Sequence, residues 1–514
     1  MDFIRFATFA KLSHHLRLIL CTILLVFITP AGIAQNAHAE PVRPIPRASF
    51  IAATDTTPQN IILLIGDGMG PEQVIAAGMY ENGVHNTLAF ESAPYQAKMS
   101  TASANSPITD SAASATAMAT GQKVNNGVIS KDMPGNGRNL ETSLEYFKGR
   151  CKSTGIVVTS VINHATPAAF ASHATSRVEY QTLLKNYFDA LQPNIIMGGG
   201  PDSSGDRYAT NAGYTIVSNR EELNGLTATS DNKVFGRFGR SDMPYELDYA
   251  YGMNKFYDYY PHLWEMTAKS LELLEQDPDG FFLMVEGSRI DHASHANSMP
   301  HMVHELLAFE KTVETVLNWA EGRTDTLIIV TADHETGGLK VEQNMGKGEF
   351  PHASWATSGH SARDVAVYAW GPNAEMVTGR IDNTTIYDIT TANSKVAANC
   401  EARTIVQPEQ PLVPVPIETV DITLRWESSA KDNISGFHIM RSSDEIFDHA
   451  QPITSELILI SDGDNYEYTD AGIDAASDYI YWLVIVASDG STTVSDQIQV
   501  PRSRYNSFLP LLTQ

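Results

Sequence analysis

Cysteine is scarce in this chain. Three occur in 514 residues, and Cys21 lies in an N-terminal apolar segment, so only Cys151 and Cys400 remain for the folded protein. Two cysteines permit one disulfide in an export compartment, but sequence alone does not pair them. Cys151 falls in a stretch with helical patterning, 140–152, and is expected to be a buried free thiol. Positive charge is short as well: 35 Lys and Arg face 60 Asp and Glu, a net charge of −25. That balance argues against binding nucleic acid as a polymer and favours solubility. The apolar stretch 18–28 is too short for a comfortable membrane span, and no internal repeat is visible. Hydrophobic content is 43% and charged content 18%, so a large core can be buried. The length exceeds what one domain usually holds.

Residues 1–39 read as a secretory signal peptide. Arg5, Lys11 and Arg17 form a basic n-region, 18–28 an apolar h-region, and Ala37-His38-Ala39 a small-x-small cleavage site. Leu20 is too bulky for a good lipoprotein site at Cys21, so no lipidation is expected. Removing the leader takes away three basic residues and one acidic residue, Asp2, leaving 32 basic against 59 acidic residues, net −27. The expected location is secreted: periplasmic, extracellular or at the cell surface, with no membrane span in the mature chain. An anionic substrate would then need something cationic in its site, and bound metal ions are the obvious source.

Residues 40–58 are rich in Pro, Ala and Thr and read as a linker. From 59 to 403 apolar strands alternate with helices. Strands are expected over 60–66, 155–162, 194–197, 281–286, 325–332 and 364–370, and helices over 261–276 and 299–320. Most of the strand runs are continuous and apolar, as in strands buried on both faces. The pattern predicts an α/β domain with a mostly parallel central sheet flanked by helices. A proline-rich linker, 404–418, follows. Beyond it the period changes to two, in Ile422, Leu424 and Trp426 and in Tyr481, Leu483 and Ile485. That indicates a small β-sandwich over 419–500 resembling a fibronectin type III domain, with Tyr481 in the tyrosine-corner position. The tail 501–514 is expected to be disordered.

Reactive residues fall at the carboxyl ends of the expected strands, where open α/β sheets bind ligands. Asp67 follows the first strand in Gly66-Asp67-Gly68-Met69-Gly70. Glu286 closes Phe-Phe-Leu-Met-Val-Glu. Asp333 and His334 follow Leu-Ile-Ile-Val-Thr-Ala. One aspartate at a strand end is more often a cap, but independent caps need not all be metal-ligand types. Asp291 and His295 are four apart, so on a helix they share a face, and a carboxylate with an imidazole suits zinc. His360 lies in a loop before a strand. His292, His301, His304 and His352 read as exposed loop histidines. Ser111 opens a helix to Thr120, stopped by Gly121, and a helix N-terminus offers free N–H groups to an oxyanion. Arg177 carries a planar fork suited to two oxygens of an oxyanion.

As a set, these blocks resemble the alkaline phosphatase family. The matching segments are Gly-Asp67-Gly-Met-Gly, Thr-Asp110-Ser111-Ala-Ala-Ser-Ala-Thr-Ala, His164-Ala-Thr166-Pro-Ala-Ala, Thr-Ser-Arg177, Val-Glu286-Gly-Ser-Arg-Ile-Asp291-His-Ala-Ser-His295-Ala, Thr-Ala-Asp333-His334-Glu-Thr-Gly and Gly-His360-Ser-Ala-Arg. The resemblance implies a phosphomonoesterase acting on small phosphate monoesters, with two zinc ions and one magnesium ion. Asp291, His295 and His360 would hold the first zinc, and Asp67, Asp333 and His334 the second. Asp67, Thr166 and Glu286 would hold magnesium. Ser111 would be the nucleophile that becomes phosphoserine, and Arg177 would bind substrate phosphate, with Asp110, His164 and His292 beside them. A homodimer is compatible with the family.

His164 stands where some bacterial members carry aspartate, and His292 where they carry lysine. Both changes resemble the animal and marine-bacterial pattern, and His164 weakens the pull on the third cation. The stretch 338–358 is short where some members carry a large insert. Residues 243–247 resemble a segment near a calcium site of animal members, with Glu246 a candidate ligand. Three other readings fit less well. A sulfatase needs a Cys/Ser-x-Pro-x-Arg motif, whereas Ala-Ala-Ser follows Ser111. A diesterase typically uses threonine and gains little from Arg177. A binding protein with a dead α/β domain would lack a ligand, and none is missing.

Overall fold

The run Asn60–Gly66 is buried at every position in the computed structural model. Successive side chains of a strand point to opposite faces, so a fully buried run must be covered on both sides. Phe281–Gly287, Ile195–Gly199 and Thr326–Thr331 show the same uninterrupted burial. Described are residues 57–400, except 201–203, 230–231, 240, 251–258 and 393–399, together with 419–427, 434–442, 451–454, 458–459, 465–474, 479–487, 492–495 and 498–500. The expected leader, the proline-rich linker, the tail and nearly all of the linker 40–58 lie outside the described residues.

Ten strands form one sheet in the order Gly379–Asp382, Tyr95–Ser100, Val365–Trp370, Thr326–Thr331, Asn60–Gly66, Phe281–Gly287, Ser153–Val161, Ile195–Gly199, Val234–Arg237 and Thr215–Val217. Every ladder is parallel except the two made by Val365–Trp370, which runs antiparallel to both neighbours. The α/β reading with a mostly parallel sheet holds. The expected long helices are present as Leu263–Leu274 and Met299–Trp319.

One local structure matters for the site, and a second closes a long loop of the chain. The helix Ser111–Thr120 is buried along its whole length, which its Ala, Ser and Thr side chains allow. Asp110 caps it by accepting the Ala113 N–H at 3.0 Å, and Gly121 closes it at φ 70°, a left-handed conformation that costs glycine little. The helix expected over 140–152 is shorter, Ser143–Lys148. The chain leaves it at Gly149, Cys151 turns left-handed at φ 63°, and its sulfur bonds to that of Cys400 across 249 residues. The expectation of a free Cys151 thiol is therefore wrong: the residue lies past the helix end and faces its partner.

Beyond 418 the described strands are antiparallel. Thr419–Glu427 pairs with Asn465–Asp474, and a separate sheet is built around Ile434–Ser442 and Tyr479–Ala487. Ile422, Leu424, Trp426, Phe437, Ile439, Tyr481 and Leu483 pack as one core, as the period-two pattern requires. The Tyr481 hydroxyl donates to Asp470 at 2.9 Å, and Arg441 donates to the same carboxylate oxygen at 2.7 Å.

Candidate active site

Three neighbouring parallel strands deliver three carboxylates to one end of the sheet. Ile65 is in register with Glu286 on one side and Thr331 on the other, so Asp67, Glu286 and Asp333 converge just beyond. All three are fully buried. Gly68 makes the turn after Asp67 at φ 71°, and a Cβ there would sit 2.9 Å from the Asp291 Cα, so only glycine fits.

The ligand-type side chains gather into three sets. Asp291, His295 and His360 form the first, Asp67, Asp333 and His334 the second, and Asp67, Glu286 and His164 the third, with Asp67 shared. In the first set His295 Nδ1 meets the Ser358 carbonyl at 2.5 Å and His360 Nδ1 meets the Thr109 carbonyl at 2.8 Å. A carbonyl only accepts, so both Nδ1 atoms carry a proton, and the Nε2 atoms are left to offer lone pairs to a cation once the rings are neutral. Those Nε2 atoms lie 3.1 Å apart, and His295 Nε2 is 3.2 Å from Asp291 Oδ2. Two lone pairs and a carboxylate facing one point are a cation's ligand set.

In the second set His334 Nε2 is 3.1 Å from Asp333 Oδ2 and 3.6 Å from Asp67 Oδ1. Both Asp67 oxygens, both Glu286 oxygens, Asp333 Oδ2 and Thr166 Oγ1 are buried without a well-formed hydrogen bond. Native interiors rarely leave so many polar atoms unpaired in one place. Divalent cations satisfy this donor set: oxygen-rich at Asp67, Glu286 and Thr166, and mixed nitrogen and oxygen in the other two.

Titration behaviour agrees. Burial first, then mutual repulsion among the acids, raises Asp67 well above the carboxylate range. Burial lifts Glu286 to about 8, and burial with the Asp291 charge lifts Asp333 to about 7. Without cations these groups resist ionising, and a bound divalent ion removes that cost. Burial also pushes Asp291 upward, but the His295 hydrogen bond and the histidine charges outweigh it and hold it far below the usual range.

Ser111 sits at the helix N-terminus, 2% exposed, with Oγ 3.3 Å from His334 Nε2. Asp110 joins three elements through one carboxylate. It caps the helix, accepts the Gly127 N–H at 3.0 Å, and accepts Arg177 Nη1 at 3.0 Å. Arg177 Nη2 lies 3.2 Å from His164 Nε2. A guanidinium only donates, so His164 Nε2 accepts and the ring is neutral. Burial and the Arg177 and His292 charges hold its pKa down at about 3, consistent with that.

The structure thus brings Ser111, Arg177 and every expected ligand together, and places His164 among the ligand-type groups. His292 departs from the exposed-loop expectation. It lies on the helix Arg289–His295, half-buried, with Nδ1 3.4 Å from Asp242 Oδ2. His301 and His304 are helical and half-buried, His352 is exposed, and His360 lies on a two-residue strand. Glu246 accepts from His262 Nδ1 at 2.8 Å. Sequence reading missed Thr336, whose Oγ1 donates to Asp291 Oδ1, and Asp242, which also accepts the Val161 N–H at 2.8 Å. Neither belongs to a ligand-type pair at short spacing. A separate cavity of about 250 Å³, lined by Lys131, Glu145, His173 and Asn186 among others, contains no residue of the three sets.

Comparison with known proteins decides the family. The alkaline phosphatase family model matches residues 58–351 and 342–396. The chain belongs to the alkaline phosphatase family. It is an enzyme of that kind, a phosphomonoesterase. Alkaline phosphatase 3 of Bacillus subtilis is 31% identical over 417 residues, covering 64% of this chain and 87% of that protein. A cold-active alkaline phosphatase from a psychrophilic Shewanella superposes with a TM-score of 0.59 at 29% identity, over 65% of this chain and 100% of its own. A mutant of the TAB5 alkaline phosphatase, solved with Mg bound in its M3 site, superposes with a TM-score of 0.58 at 27% identity, over 66% and 99%.

Proposed function

We propose that this chain is an exported alkaline phosphatase that hydrolyses phosphate monoesters through a phosphoserine at Ser111. Two zinc ions would occupy the Asp291–His295–His360 and Asp67–Asp333–His334 sets. One magnesium ion would occupy the set of Asp67, Thr166 and Glu286 beside His164. The observation that carries this reading is the convergence of unpaired buried ligand atoms within reach of a serine at a helix N-terminus.

When bound, the cations supply positive charge that favours the Ser111 alkoxide and stabilises the leaving oxygen. The chain's own residues do the rest. Ser111 Oγ forms a bond to phosphorus as the ester oxygen leaves, which splits one difficult step into two. The helix N-terminus directs free N–H groups toward the developing charge. Arg177 holds two non-bridging phosphate oxygens with its fork, and Asp110 keeps that fork in register with the helix it caps, which begins at Ser111. Water then cleaves the phosphoserine and releases inorganic phosphate. A monoester presents the dianionic group this grip fits, whereas a diester has lost one of its free oxygens. The signal-peptide pattern read over 1–39 supports export, and the domain over 419–500 is read as a fibronectin type III-like sandwich that spaces or tethers the enzyme.

Acid quenching during turnover of a ³²P-labelled monoester tests the covalent step. Label should be trapped on Ser111. Ser111→Ala should trap none, lose at least about a thousandfold in kcat, and keep its metals. A Ser111→Ala enzyme with wild-type turnover would rule the mechanism out.

A further inference from the structure

Glu335 is fully buried, yet no ion pair reaches it among the described residues. A lone carboxylate in a core is costly unless hydrogen bonds satisfy it. Glu335 meets that requirement with donors from three separate segments. Its Oε1 accepts the Leu339 N–H at 3.1 Å and Gln73 Nε2 at 3.3 Å, and its Oε2 accepts the Ser361 hydroxyl. Gln73 Nε2 also donates to the Thr336 carbonyl at 2.6 Å, so the helix Pro71–Asn82 is tied to the same strand.

The placement of these bonds is the telling feature. Glu335 directly follows His334, and Ser361 directly follows His360. The two segments form a two-residue antiparallel ladder, with Ser361 opposite Glu335 and His360 opposite Thr336. Gly337 N–H adds a bond to the Gly359 carbonyl at 2.8 Å. His334 belongs to one ligand set and His360 to the other, and their rings stack at 3.6 Å. A ladder of two pairs is too short to hold its own register, and the buried carboxylate supplies the missing constraint. The surroundings are shaped to receive it: a Cβ on Gly70 would lie 2.1 Å from the Glu335 Cγ, so a side chain there would expel the glutamate.

We propose that Glu335 is a positioning residue that clamps the segment carrying His334 to the segment carrying His360, and so fixes the spacing between the two zinc sets. The proposal rests on the reading of those sets as zinc sites. Outer groups that orient metal ligands typically change metal affinity 10- to 100-fold when removed.

The test is zinc release from the metal-loaded enzyme into a chromogenic chelator, followed alongside kcat. Glu335→Ala should release zinc about 10- to 100-fold faster than wild type. Glu335→Gln keeps an acceptor oxygen at the same place and should restore the rate to within about threefold. Ser361→Ala removes a single donor and guards against misfolding of the first variant; it should release zinc several-fold faster. A folded Glu335→Ala enzyme with wild-type zinc release would overturn the clamp. Should that variant fail to fold, wild-type release from Ser361→Ala would overturn it instead. Wild-type enzyme that holds no zinc would overturn the metal reading and the clamp together, and faster release in the variants with a zinc-retaining wild type supports both.

Discussion

Arg177 carries its weight through geometry rather than charge alone. One arm is held by Asp110 and the other faces His164, so the guanidinium plane is set before substrate arrives. Lysine keeps the charge and loses the fork. Arg177→Lys should therefore lower kcat/KM for a monoester by roughly 10- to 150-fold, the equivalent of about 1.5–3 kcal/mol for a charged hydrogen bond. Any residual diester turnover should fall less. Equal losses on both substrates, measured side by side, would mean that the Arg177 fork does not favour the dianionic monoester over the diester. At this scale much of the site was legible. Asp67, Glu286, Asp333 and His334 are marked by ending apolar runs, and Asp291 and His295 by their helical spacing. Glu335 and Asp242 were not. Their importance depends on which backbone folds against them, and a glutamate after a histidine looks like any other acid until Ser361 arrives opposite it.

Elements follow their patterns where burial is uniform and depart where it is not. The strand Asn60–Gly66 was readable because every position after Asn60 is apolar or glycine, and all are buried. The strand Tyr95–Ser100 was missed because only Ala97 and Met99 are buried, which leaves little period to detect. Parallel or antiparallel direction, as in Val365–Trp370, depends on the route of the connections rather than on composition. The long helix Met299–Trp319 holds a further consequence. Glu310 points inward, accepts the Ala89 N–H with one oxygen, and leaves the other unpaired. Burial raises its pKa from 4.5 to about 8, helped by Glu314 and Glu91. Between those values the folded state keeps a proton that the unfolded state has lost. Stability therefore falls as pH rises through that window and levels off above it, by on the order of 1.4 kcal/mol per pH unit. Glu310→Gln should remove this slope. Denaturant midpoints for the two proteins should nearly coincide near pH 5 and separate in favour of the variant by pH 9. Parallel curves would contradict the assignment.

At the scale of the whole molecule, the described residues of a strongly acidic chain hold one disulfide and three sets of ligand-type side chains. The Cys151–Cys400 disulfide joins the turn after the helix Ser143–Lys148 to residue 400, near the end of the α/β region, across 249 positions. Such a long closed loop constrains the unfolded chain, and losing it typically costs about 2–4 kcal/mol. Replacing both cysteines with serine should lower the denaturant midpoint accordingly while leaving kcat near wild type. An unchanged midpoint would show that the link adds nothing to stability. This pairing was not legible because it depends on where a helix stops, and sequence pattern places helix ends poorly. Cations in these sets would explain how a chain of net charge −25 can receive a dianion, by neutralising carboxylates that would otherwise repel it. No described helix is long and apolar enough to cross a membrane.

Monoester turnover should require metal in these buried sets. The most direct measurement is hydrolysis of a chromogenic phosphate monoester at alkaline pH by the mature protein, before chelation, after chelation, and after zinc and magnesium are returned. A diester and a sulfate ester are assayed alongside. Monoester turnover should disappear on chelation, return with the metals, and exceed turnover of the other two esters. Full metal occupancy without monoester turnover, or turnover indifferent to chelation that removes the metals, would contradict it.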